Sequence, residues 1–161
     1  MRLRSLLLLL SSLLALPFLA GCTDDAASHM IDGRYHSLSL AREQPYFWES
    51  KVRYYLVVTR LPNCQRKHFV LQGNPLAKTE LWEMGGGTYL IRQGTKMFVT
   101  ETRTCEGFAP LLETPAEGLG TKLGVFYEKD GFFKFKPADP APPATETPAA
   151  ATETPAPAAV R

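Results

Sequence analysis

Cys64 and His68 stand four residues apart, and with Cys105 they could offer thiolate and imidazole ligands to zinc, which takes such donors in a tetrahedral array. A closed site needs a fourth ligand, and His36 is the only other histidine between residues 34 and 136. The Cys-x-x-Cys spacing of dedicated zinc sites does not occur. A Cys-His nucleophile would need a low-pKa thiolate and a third group to orient the base, and no pattern marks either. The serines of this stretch, Ser37, Ser39 and Ser50, sit outside any Gly-x-Ser-x-Gly elbow. Glu80, Glu83, Glu101 and Glu106 could meet as the paired carboxylates of a hydrolase, although Glu80 and Glu83 alternate onto opposite faces of one strand. Gly85-Gly86-Gly87 lacks the following helix and lysine of a phosphate loop and reads as a turn. No catalytic residue, metal or cofactor is therefore expected.

Binding is better served than catalysis. Tyr46-Phe47-Trp48 and Trp82 are expected to fill a small core, with stacking on sugar rings or a lipid moiety as the alternative. Arg60, Arg66 and Lys67 flank Cys64 and could form an anion-binding rim. Trp48, Trp82, Arg60, Arg66 and Lys67 are the candidate ligand contacts.

The elements that position these residues follow a leader. Arg2 and Arg4 precede an apolar run from Leu6 to Leu19, which is a secretory pattern. Ser11, Ser12 and Pro17 break that run short of the roughly 20 apolar residues a spanning helix requires. Leu19-Ala20-Gly21-Cys22 closes it. The tract resembles a bacterial lipoprotein signal, in which a Leu-Ala-Gly-Cys lipobox is cut before its cysteine. The resemblance implies that residues 1–21 are removed, that Cys22 carries a diacylglyceryl group and usually an amide-linked acyl chain such as palmitate, and that the protein is fixed to a membrane without spanning it. In Gram-negative lipoproteins an Asp directly after that cysteine favours the inner membrane. Thr23 stands there and Asp24 follows, so the expected place is the periplasmic face of the outer membrane. Export also bears on the other two cysteines, because an even pair in an oxidising space bridges. Cys64 and Cys105 are expected as a disulfide, closing about 42 residues and contributing at most on the order of 4 kcal/mol.

Residues 22–33 read as a flexible tether, 34–136 as a single β domain and 137–161 as a disordered tail. The tail holds seven prolines and nine alanines, and Ala144-Thr145-Glu146-Thr147-Pro148-Ala149 recurs from Ala151 to Ala156. Such a segment buries too little apolar area to offset the entropy of ordering it. Its expected use is a spacer through peptidoglycan or a docking peptide, with a partnerless end as the plain alternative. The domain carries 15 Lys and Arg against 10 Asp and Glu, a basic body that could favour phospholipid, lipopolysaccharide or peptidoglycan anions.

Within the domain, hydrophobicity alternates with period two. Val52, Tyr54, Leu56 and Val58 share one face, and Arg53, Tyr55, Val57 and Thr59 the other. Further strands are expected at 34–40, 67–72, 79–84, 88–92, 96–102, 123–129 and 132–136, the last two joined by Asp130-Gly131 in a type I′ turn. The expectation is an all-β fold, a small antiparallel barrel or sandwich of about seven or eight strands. Glu106 to Thr121 is too long for an ordinary connection, and Leu111-Leu112 is expected to make a helical turn capping a barrel end, or a lid.

The functional expectation is a non-enzymatic, lipid-anchored binding or accessory module of the cell envelope. Its partners would be the membrane, through the N-terminal lipid, and peptidoglycan or an envelope protein; no nucleic acid is expected. One alternative is a hydrolase using acidic residues. Another is a lysozyme inhibitor: known periplasmic inhibitors are small disulfide-bridged β-barrels, some of them lipoproteins, whose loop carries a Ser-Gly-x-x-Tyr-type motif. Gly86-Gly87-Thr88-Tyr89 echoes that loop without its serine.

Overall fold

A computed structural model describes residues 24–46, 48–116 and 118–139. Residues 1–23, Cys22 among them, and residues 140–161 lie outside the described residues, and with them the leader, the lipidation and the tail expected there. Ten strands follow in chain order: β1 (Asp24–Asp32), β2 (His36–Glu43), β3 (Val52–Arg60), β4 (Cys64–Gly73), β5 (Thr79–Gly85), β6 (Thr88–Gln93), β7 (Lys96–Glu101), β8 (Phe108–Leu111), β9 (Thr121–Lys129) and β10 (Phe132–Pro137). They form a four-stranded sheet, β1-β2-β3-β4, and a six-stranded sheet, β10-β9-β5-β6-β7-β8, with every pairing antiparallel. The expected all-β sandwich is the fold.

β3 shows how pattern becomes packing. Val52, Tyr54, Leu56 and Val58 are buried at 3% exposure or less, and they join Leu38 and Leu40 of β2 against Leu81, Tyr89, Ile91, Phe126 and Phe133 of the facing sheet. β4 departs from strict alternation. Tyr54 opposes Leu71 whereas Tyr55 opposes Phe69, so Val70 is an extra residue in a bulge. The bulge sends both Val70 and Leu71 inward and leaves Phe69 half exposed on the outer face, edge-on to Tyr55. The turn at Asp130-Gly131 has positive φ at both residues, as a type I′ turn demands. Gly124 of β9 is obligatory for a different reason: a Cβ there would lie 2.4 Å from the Lys136 carbonyl oxygen and 2.5 Å from the Phe135 ring.

Three sequence expectations are corrected. The tether drawn over 22–33 contains β1, whose residues pair with β2 from Asp24 opposite Glu43 to Asp32 opposite His36. Only Ala27 of β1 is buried, so the strand is held by its ladder and by Asp25, which binds Arg42. Leu111-Leu112 makes no helical turn: Phe108–Leu111 is an edge strand on β7, where Pro110 costs no ladder bond in the sheet interior. Because β8 pairs with β7 and β9 with β5, the connection between them returns the chain from the edge of the six-stranded sheet to the far side of β5. Finally, the tail boundary moves, since β10 runs to Pro137 and the Ala138 N–H donates to the Leu123 carbonyl at 2.9 Å.

The antiparallel order gives the sandwich two distinct ends. At the entry end lie Asp24, where the described chain begins, the loops between β2 and β3 and between β4 and β5, and the turns after β6 and β9. At the exit end lie Pro137, where β10 finishes, the turns after β1, β3 and β5, and the loop after β7.

Candidate functional site

The five candidate contacts do not meet. Arg60 ends β3 opposite Cys64, and Arg66 lies two residues further along β4, so both belong to the exit end. Lys67 points the other way from Arg66, onto the outer face of the four-stranded sheet, where it pairs with Glu43 and sits 4.2 Å from the Tyr55 ring centre. Trp82 lies on the outer face of the six-stranded sheet. Trp48 lies in the β2–β3 loop at the opposite end of the molecule from Arg60. The expectation that the aromatics fill the core is corrected for Tyr46 and Trp48, which stack on each other at 4.9 Å while 52% and 69% exposed.

The exit end carries a covalent bridge and a hydrogen-bonded polar loop. Cys64 and Cys105 are bridged, with Cα atoms 5.9 Å apart, joining β4 to the loop after β7. His68 reinforces that seam: its Nε2 is 2.7 Å from the Cys105 carbonyl and its ring stacks on Phe108 at 5.0 Å. The loop itself is wound around one carboxylate. Glu101 accepts hydrogen bonds from the Thr104 hydroxyl at 2.5 Å and from the backbone N–H groups of Arg103, Thr104, Glu106 and Gly107 at 2.7 to 3.2 Å. The Thr104 hydroxyl first, and then the backbone donors, pull the Glu101 carboxyl down to about 2 against the opposing effect of burial. Such a carboxylate is a structural staple and a poor general acid. Arg66 reaches Glu106 across the seam at 3.4 Å, with both side chains well exposed. Between the β3–β4 turn and this loop lies an open hollow of about 370 Å³ lined by Pro62, Asn63, Arg66, Thr104 and Glu106.

Trp82 is set differently. Its ring is flanked by Arg92 at 5.7 Å and Lys122 at 5.5 Å, and both cations also bind Glu80, at 2.5 and 2.6 Å. Burial raises the Glu80 carboxyl pKa, but the two cations outweigh it and hold the pKa below its ordinary value. Glu80 and Glu101 are thus shifted the opposite way from a hydrolase acid. Leu90, directly opposite Trp82, is fully buried although its neighbours Tyr89 and Ile91 point into the core. Tyr89, the tyrosine of the inhibitor-like loop, is therefore an interior residue at 2% exposure.

No group of three or more His, Cys, Asp or Glu side chains suited to a metal ion occurs among the described residues. One feature escaped the sequence reading altogether. Arg42, 3% exposed, donates to both Asp25 oxygens at 2.8 and 2.5 Å and to the Pro75 carbonyl at 2.7 Å, with its guanidinium 4.4 Å from the centre of the Phe133 ring. It ties β1, β10 and the β4–β5 loop together at the entry end. An arginine in an alternating strand carries no local sign of such partners.

The fold defines a two-sheet, disulfide-bridged β-sandwich. The chain matches no family model, no curated protein and no solved structure.

Proposed function

We propose that this protein is a lipid-anchored binding or accessory module of the cell envelope, held at the periplasmic face of the outer membrane by an acylated Cys22. The observation that carries the reading is the polarity of the sandwich. β1 starts two residues after Cys22 at one end, while β10 finishes at Pro137 at the other. Cleavage before Cys22 would leave every strand in the mature chain. The proline- and alanine-rich stretch then departs from the end that faces away from the anchor, together with Arg60, Arg66 and the Glu101-wound loop. Exposed Arg66 and half-buried Arg60, at the end where the chain leaves β10, suit an anionic partner, and peptidoglycan carboxylates have that chemistry. The Cys64–Cys105 bridge suits an oxidising compartment.

Mass spectrometry of the exported chain tests the anchor: an N-terminal cysteine bearing acyl chains is expected, and an intact leader or a bare cysteine overturns it. Co-sedimentation with purified peptidoglycan tests the partner. Retention is expected for the whole mature chain, with loss on removing residues 140–161 or on Arg60→Glu with Arg66→Glu. Absence of retention for the unaltered chain rejects peptidoglycan as the partner.

A further inference from the structure

The entry end carries an apolar surface that neither the anchor nor the arginine end explains. Nine large apolar side chains are exposed among the described residues, and five of them lie at this end. Tyr46 and Trp48 come from the β2–β3 loop, Leu76 from the β4–β5 loop, Phe132 from the start of β10 and Leu112 from just past the end of β8, and all are 52 to 91% exposed. Lys51, Lys78, Lys96, Lys129 and Lys134, all exposed, lie at or near the same end, Lys134 5.5 Å from the Phe132 ring centre. Asp24, Glu49, Glu113 and Asp130 share the same end, so apolar contact and not net charge distinguishes it. Paired aromatic rings with a lysine rim are the composition of side chains that settle at a membrane–water interface, where ring edges stay wet and lysine stems lie along apolar surface.

Chain geometry supplies the occupant. From Asp24 back to Cys22 the chain can reach at most about 7 Å, and the β2–β3 and β4–β5 loops project past Asp24, because Glu43 and Gly73 end their strands at or beyond its level. A body tied that closely cannot stand away from the bilayer. We infer that the entry end is a membrane-docking face, with Tyr46, Trp48, Leu76, Leu112 and Phe132 seated among phospholipid headgroups, so that the sandwich stands upright and presents its disulfide end outward. This rests on the anchoring reading above. The Arg42 cluster behind the face gives it rigidity, since Pro75, Asp25 and Phe133 are all fixed to one buried guanidinium.

The chain has two tryptophans, Trp48 and Trp82, which makes the test direct. The exported, processed protein, acylated or not as mass spectrometry finds it, is bound to vesicles of phosphatidylethanolamine and phosphatidylglycerol carrying bromine near the top of the acyl chains. In W82F, where Trp48 is the sole reporter, emission is expected to fall about twofold and shift to shorter wavelength, while Trp82 in W48F stays unchanged. If W82F fails to fold by circular dichroism, the difference between the unaltered chain and W48F gives the same readout. Unquenched Trp48 on an acylated, vesicle-bound chain overturns the docking face and leaves the anchor standing. Equal quenching of both tryptophans overturns the orientation. A blue shift of Trp48 that depends on protein concentration without vesicles assigns the face to a second copy and overturns the inference. If the chain proves unacylated, quenching of Trp48 upholds the face without the anchor, and failure to bind rejects both.

Discussion

Glu101 illustrates how a single side chain can organise a loop that has no regular structure. Five donors converge on its carboxylate, and Gly107 is required beside it because a Cβ there would come within 2.7 Å of Glu101 Cγ. Its pKa near 2 lies below the ordinary 4.5. The stabilisation it provides is therefore complete above the ordinary value and drains away as pH falls toward 2. Glu101→Gln is expected to cost about 1 kcal/mol at neutral pH, after allowing for solvent screening, and to flatten the acid limb of the stability curve. Thermal melts of both proteins between pH 7 and pH 2 check this, and parallel curves would reject it. The carboxylate was visible in the sequence only as one acid among several. Its donors come from the five residues Arg103 to Gly107, but nothing local says that they fold back on it.

At the level of elements, legibility depended on whether the signal was local. β3 and the hairpin of β9 and β10 announce themselves by alternation and by Asp130-Gly131, because a strand buried on one face needs period two and a tight turn needs positive φ. β1 gave no such sign: Asp24-Asp25-Ala26-Ala27-Ser28 is poor in β-branched and aromatic residues, and its order comes from β2 and from Arg42. Arg42→Ala is accordingly expected to destabilise by about 3 kcal/mol, since it strands Asp25 beside the Phe133 N–H and removes a buried partner. Amide exchange should show β1 losing protection ahead of β3, and uniform loss across the sheets would contradict this account. The bulge in β4 was equally silent, and with it the outward turn of Phe69, because alternation alone would place Phe69 and Leu71 on one face.

For the molecule as a whole, the two sheets are fastened along both pairs of edges. β1 lies beside β10 through the Asp25 carboxylate, which accepts from the Phe133 N–H at 3.2 Å, and the His29 and Phe135 rings meet at 4.9 Å. β4 lies beside β8 through the disulfide and the His68–Phe108 stack. The bridge spans 41 residues of sequence, and its reduction is expected to cost up to about 4 kcal/mol, a large fraction of the stability of so small a domain. Urea unfolding with and without reductant measures it, and an unchanged midpoint would show that the seam holds without the covalent link. The same arrangement separates the entry end from the arginine end, so the two proposed contacts, with lipid and with an envelope partner, do not compete for one surface.

What the sequence alone determined is the material of the fold: alternating strands, the turns at Gly85-Gly86-Gly87 and Asp130-Gly131, and a cysteine pair whose only two members inside the domain could bridge each other. The strands and turns are short-range, written in period two and in residues that tolerate positive φ, and the cysteine pairing needed only a count of two. Only the tertiary structure decided that Asp24–Asp32 is a strand, that a bulge at Val70 turns Phe69 outward, and that Arg42 is interior. Each of these depends on partners many residues away, and a ladder, a bulge or a buried ion pair leaves no mark on the segment that receives it until the partner is in place.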